Sequence, residues 1–331
     1  MNRRPRRRAA PLLVAALAAA GAALPARAQE PATYRVTFEA AWNAADHPAD
    51  FPSDAHFSPL VGAVHGPGVE LWRPGGAATE GIRLMAERGQ VVPLRDEVRA
   101  LGAGAGFVVG EPVNRSPGAG HAMLTVTAEH PRVTLVTMVA PSPDWFAGVA
   151  GLPLAERGEW LLRKTVPLGP WDAGTDSGTT FRSPDQETVP RQPIHPITGF
   201  PFAGTPPLGR FVFDRTDPPP PAPLVLGGGR FEVTAVWTTA AGSRGYGEPV
   251  ALGPDSGWFW FFGGDNVEVM VKVLDACAFA NRYWVFAAGL TDAGVELVVR
   301  DVAAGVERRY ENPLGEPFLP IQDTTGLATC G

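Results

Sequence analysis

A period-two alternation of apolar and polar residues constrains this chain more than any other feature in it. In "YRVTFEAAW" (34–42), Tyr34, Val36, Phe38, Ala40 and Trp42 fall on one face, and Arg35, Thr37, Glu39 and Ala41 on the other. Such a pattern buries one side of a β-strand and cannot form the stripe of a helix. It returns in "RFEVTAVWT" (230–238), where Phe231, Val233, Ala235 and Trp237 share a face. Between these two stretches lie "AMLTVTAE", "RVTLVTMVA" and "EWLLRKTVPL"; after them come "GWFWFF", "VEVMVKVLD", "RYWVFAAGL" and "VELVVRDV". In the second half the runs recur every ten to fifteen residues or so, separated by Gly, Asp and Asn, which is the rhythm of an antiparallel sandwich. The 39 glycines and 35 prolines fit many short strands joined by tight turns. The expected fold is all-β, with two antiparallel β-sandwich domains.

Two short helices interrupt the first. "EGIRLMAERG" sets Ile82, Met85 and Ala86 at helical spacing and stops at Gly89. "PLRDEVRAL" starts on Pro93 and aligns Leu94, Val98 and Leu101. A break follows at "DPPPPAP" (217–223), because consecutive prolines lock an extended segment that cannot enter a sheet interior. The expected organisation is a signal peptide over 1–28, a first domain over 29–212, a proline-rich linker over 213–224 and a second domain over 225–331.

The signal peptide reading rests on the basic "MNRRPRRR", the short apolar run after it, and the small-residue site "ARA" before Gln29. The apolar run falls short of the ~20 residues that a membrane span needs. The arginine pairs leave Sec and twin-arginine export both open. Secretion or periplasmic export is expected, with no transmembrane segment in the mature chain. Cleavage removes six arginines, leaving 22 basic against 34 acidic residues, a net charge of −12. That balance argues against a nucleic-acid partner. The two cysteines, Cys277 and Cys330, are expected to pair in an oxidising compartment. With no histidine nearby in sequence they do not make a zinc site.

The stretch "GPWDAGTDSG" (169–178) concentrates the candidate chemistry. Asp176-Ser177-Gly178-Thr179 has the form of an aspartic protease loop, which requires a second such loop sharing a proton. Asp255 in "DSG" is the available partner, but it lies beyond the prolines and no apolar strand precedes either loop. Serine–histidine chemistry lacks a Gly-x-Ser-x-Gly elbow. "GAGAG" (102–106) lacks the glycine spacing of a dinucleotide site and reads as a turn. Calcium fits better, since it takes hard oxygen ligands in irregular geometry. Asp172 and Asp176 bracket a short loop, and Asp144 in "PSPDWF" is a third candidate, anchored by Trp145 and Phe146. The spacing is not that of an EF-hand. The alternative is that these aspartates are turn residues binding only backbone amides. "GWFWFF" (257–262) reads as a mostly buried strand, with an exposed aromatic patch as its rival.

In "HPADFP", "HFSPLVGAVH", "LWRPGGAATEGIRLMAERG", "MVAPSPDWFAGVAGLPL", "PWDAGTDSGTTFRSPDQETVP" and "PIHPIT" the chain resembles the spondin domain, in order from about Tyr34 to Thr198. The resemblance implies an antiparallel β-sandwich, a calcium ion held by Asp144, Asp172 and Asp176, and a role in adhesion or recognition without catalysis. Animal members carry cysteines just before the "DAGTDSG" stretch, absent here, and continue into thrombospondin-type repeats. Here the second half resembles a module of exported bacterial proteins. The expected protein is an exported, calcium-binding, non-enzymatic adhesion or recognition protein, with a protein or glycan ligand on a cell surface or envelope. The alternative is a metal-dependent extracellular hydrolase using the same loops, with Glu187 or His195 as base.

Overall fold

The computed structural model describes residues 30–219 and 221–331. The segment read as a signal peptide lies outside the described residues. The fold is all-β and its sheets are antiparallel. The first alternating stretch forms the strand Ala32–Ala40, with Tyr34, Val36 and Phe38 fully buried, and Trp42 stays buried beyond its end. This strand lies between Gly118–Val126 and Gly209–Arg215, and the latter pairs with Arg163–Leu168. A second sheet, built on Val61–His65, Arg132–Ala140 and Trp145–Pro153, closes over it. Their facing side chains, among them Phe38, Phe211, Leu135 and Ala147, make the first core.

The two expected helices lie on the outer face of that second sheet. Glu80–Arg88 is capped by Thr79, whose hydroxyl accepts from the Ile82 amide, and ends at Gly89 in the left-handed conformation. Val92–Ala100 carries Pro93 in its first turn. Ile82, Met85 and Leu94 pack on Val61, Val136 and Phe146. One expectation fails here: Leu101 falls past the helix end and is exposed, so Leu94 and Val98 alone carry the buried face. "GAGAG" is a short 3-10 turn running into the strand Ala105–Val109.

The second half builds its own core between Phe231–Thr238 and Gly294–Asp301 on one side and Ser256–Trp260, Val269–Asp275 and Tyr283–Gly289 on the other. Phe259 and Phe261 of "GWFWFF" are buried in it, while Trp258, Trp260 and Phe262 are half-buried. The two halves are joined by more than the proline segment. Arg163 and Lys164 pair with Arg244 and Ser243, so one nine-stranded sheet runs through both sandwiches. Leu161, from the first half, is buried in the second core.

Cys277 and Cys330 form a disulfide, 53 residues apart in sequence, with Cα atoms 5.7 Å apart. It ties the C-terminal tail beside a buried ion pair. Arg230 reaches Asp301 at 2.9 Å and lies over the Tyr283 ring at 4.4 Å. Burial works against ionisation of Asp301. Hydrogen bonds from Thr329, Arg230 and the Ala304 amide overcome it and hold the carboxyl below its ordinary value. A carboxyl that is more acidic folded than unfolded stabilises fully above its unfolded range and loses that contribution as pH falls through the folded value. The melting temperature of the wild type is therefore expected to exceed that of Asp301→Asn at pH 7, and the gap to narrow at pH 3, below the unfolded value of about 3.9. An equal gap at both pH values would contradict the assignment.

Candidate metal centre

The acidic loops meet because of one long-range pairing. Asp144 immediately precedes the strand Trp145–Pro153. Trp145 stands opposite Asp172 and Phe146 opposite Trp171, and Asp172 faces His195 on its other side. Trp145 packs on Phe181 and Phe202, and Phe146 on Trp72, so the loop is anchored to the core as expected. The Ser142 hydroxyl accepts from the Trp145 amide at 3.1 Å, closing the turn that presents Asp144.

Asp144 has no solvent exposure (0 %). Its Oδ2 accepts from the Thr175 amide at 2.7 Å, the Asp176 amide at 3.0 Å and the Thr175 hydroxyl at 3.2 Å. Its Oδ1 is buried without a hydrogen-bond partner among the described residues. Burial, and then the negative charge of Asp172, push the Asp144 carboxyl up to about 7. Asp172 is also raised, chiefly by burial; the Gly174 amide and His195 pull it down, and the charge of Asp176 adds to the rise. Its Oδ1 accepts from the Gly174 amide at 2.7 Å and lies 4.0 Å from His195 Nδ1. Asp176 accepts from the Gly178 amide through Oδ1 and the Gln186 amide through Oδ2, at 2.7 and 2.8 Å.

The structure thus gathers all three aspartates at one loop end. It does not converge them: among the described residues no three His, Cys, Asp or Glu side chains form a ready-made ligand cluster. The reason lies in the backbone. Amide donors hold both oxygens of Asp176 and one each of Asp144 and Asp172, much as the turn-residue alternative requires. Against that alternative stands Oδ1 of Asp144. An anionic oxygen buried with no donor is costly, so this oxygen either meets a counter-charge or keeps a proton, and the raised carboxyl is the second response in the absence of an ion. The donor set is oxygen throughout, which suits a hard cation.

Residue-by-residue reading of the sequence missed the supporting cast. Thr175 donates twice to Asp144. Gly174 has φ 73°, and a Cβ there would stand 2.1 Å from the Gln192 carbonyl oxygen. The available signal was the Asp-x-Gly spacing, present at 172–174 and again at 176–178, since a carboxylate that accepts from the amide two residues on makes an Asx turn. Glu187, one expected base, is bridged to Asp176 through the backbone. Asp255, the would-be protease partner, lies in an exposed turn between Glu248–Gly253 and Ser256–Trp260 of the other sandwich. His47 and His65 are buried, bonded to the Pro206 carbonyl and the Thr134 hydroxyl. Among the described residues no helix is long and apolar enough to cross a membrane.

Fold and loop end together define a β-sandwich module with an acidic, backbone-braced loop site. The chain matches Spondin_N over residues 32–204, more than half its length, and it belongs to that family. It is 37% identical to spondin-2 of Rattus norvegicus over 173 residues, 50% of this chain and 51% of that protein. Human spondin-2 is 35% identical over 171 residues with the same coverage. Spondin-1 of Gallus gallus is 35% identical over 152 residues, 43% of this chain and 19% of that one. The chain therefore spans about half the length of the spondin-2 relatives and a smaller share of spondin-1.

Proposed function

We propose that this is an exported, calcium-binding, non-enzymatic adhesion or recognition protein, whose aspartate loops present a metal-braced surface to a protein or glycan ligand on a cell surface or envelope. The observation that supports the reading most is the buried Asp144 carboxylate, fixed on three donors through one oxygen and left bare on the other. Asp144, Asp172 and Asp176 would hold the ion. Its charge would offset the mutual repulsion of the carboxylates and tie the 144 loop to the 172–176 loop. The disulfide is consistent with an oxidising compartment, as export requires.

One observation favours the rival reading, a metal-dependent hydrolase: His195 lies 4.0 Å from Asp172, within reach of a base acting through one water. The two readings separate in one experiment. The protein and its Asp144→Asn variant are screened against glycans and cell-envelope fractions, with calcium and with chelator, and in parallel for esterase, phosphatase and peptidase turnover. Calcium-dependent capture that the variant loses supports the recognition protein. Turnover lost in Asp172→Asn and in His195→Ala would replace it with the hydrolase.

A further inference from the structure

The seam between the sandwiches encloses a pocket that the aspartate site does not use. One wall is the hairpin Ala155–Glu156 and Glu159–Trp160. Its two turn residues, Arg157 (φ 53°) and Gly158 (φ 87°), both take positive φ, the requirement of a tight two-residue hairpin. The opposite wall is Trp237, Tyr246, Glu248 and the Trp260–Phe262 stretch of "GWFWFF". Phe262 packs edge-on against Trp237 at 5.1 Å and Phe261 at 6.0 Å.

The chemistry of these walls is selective. Trp160 and Trp237 already donate their indole N–H groups, to the carbonyls of Glu30 at 2.7 Å and Tyr246 at 2.9 Å. Both rings are largely buried, so the ring surface open to a ligand is that of the half-buried Trp260, Tyr246 and Phe262. Three carboxylates line the space. Glu156 accepts from Ser243 at 2.9 Å and lies 3.6 Å from Lys164. Glu159 and Glu248 make no side-chain hydrogen bond or ion pair among the described residues. Burial, and then the charge of Glu159, raise the Glu248 carboxyl. Of the two arginines in the lining, Arg215 is mostly buried and faces Asp217 at 3.5 Å. Arg157 is exposed at the rim, its guanidinium beside Gly263. The enclosed space is about 80 Å³. That is room for a small alkylammonium head group.

We propose that this seam pocket binds the head of an organic cation, a primary or quaternary alkylammonium, between the aromatic rings and the Glu159 and Glu248 carboxylates. Ring faces attract a cation most strongly where water is excluded, and the half-buried Glu248 carboxylate, which has no ion-pair partner among the described residues, supplies the counter-charge, with the exposed Glu159 in the same lining. Arg157 is the internal competitor, close enough to the rim to occupy the mouth when no ligand is present.

The test is a calorimetric titration of the full chain with choline, with n-butylammonium, and with dimethylbutanol, the uncharged carbon isostere of choline. Choline or n-butylammonium is expected to saturate in the millimolar range or tighter. The alcohol is expected to bind at least about tenfold more weakly, the loss of a desolvated cation–π contact. Glu248→Gln, half-exposed and close in shape, should cost the cation about the same factor without lowering the melting temperature, and Arg157→Ala should tighten binding. Absence of saturation by either amine, equal binding of choline and the alcohol, or unchanged binding in Glu248→Gln would overturn the proposal.

Discussion

Calcium added to chelator-treated protein is expected to raise its melting temperature by roughly 5–10 °C. A ligand at a hundredfold excess over its Kd stabilises by about 2.7 kcal/mol, and about 2–4 °C accompanies each kcal/mol in a domain of this size. The physical source is Asp144. Without an ion, its buried Oδ1 has no donor, and the charge of Asp172 adds to burial in disfavouring the ionised carboxyl. Asp144→Asn keeps an oxygen for the Thr175 and Asp176 amides but removes the charge. The variant should lose the calcium response and, in chelator, melt no lower than the wild type, because a neutral amide is cheaper to bury than an unpaired carboxylate. Scanning calorimetry of both proteins with calcium and with chelator decides it. No shift in the wild type, or the same shift in the variant, would sink the metal centre.

Removing the disulfide is expected to have the larger effect. On the chain-entropy model, opening a loop of 53 residues destabilises by about 4 kcal/mol. The consequence should be confined to the second sandwich, where the tail carries the edge strand Ile321–Leu327 and Thr329 supports the Asp301 ion pair. A Cys277→Ser/Cys330→Ser variant should therefore show an earlier transition for this half, while the calcium response of the other half persists. A single unshifted transition would show that the bridge adds little to the burial already holding the tail.

The parts of the fold legible in the sequence are those where one face is apolar and the other is not. Tyr34 to Phe38 and Phe231 to Trp237 show this, and strands carry them at those positions. The strand Ser243–Tyr246 shows the limit. Its buried positions are Ser243 and Gly245, small residues that an apolar count passes over, yet it is the strand that fuses the two sheets. The same holds at the site. Asp172 and Asp176 are neighbours in sequence and were visible as a loop pair. Asp144 was visible as a third candidate in its own loop, and the family resemblance joined it to the pair; the contact that brings it there, Trp145 opposite Asp172 across 27 residues, is encoded by no local spacing. The seam pocket was invisible for a similar reason, since its carboxylates and rings come from both sides of the proline segment.

The shared sheet also bears on how such a molecule carries tension. If a surface partner grips the aspartate loops and the second sandwich is held elsewhere, the pull crosses from one half to the other at Arg163–Lys164 and Ser243–Arg244, a joint two residue pairs wide, with Leu161 as its plug. Should that joint part, the chain between Arg215 and Leu224 remains as a tether.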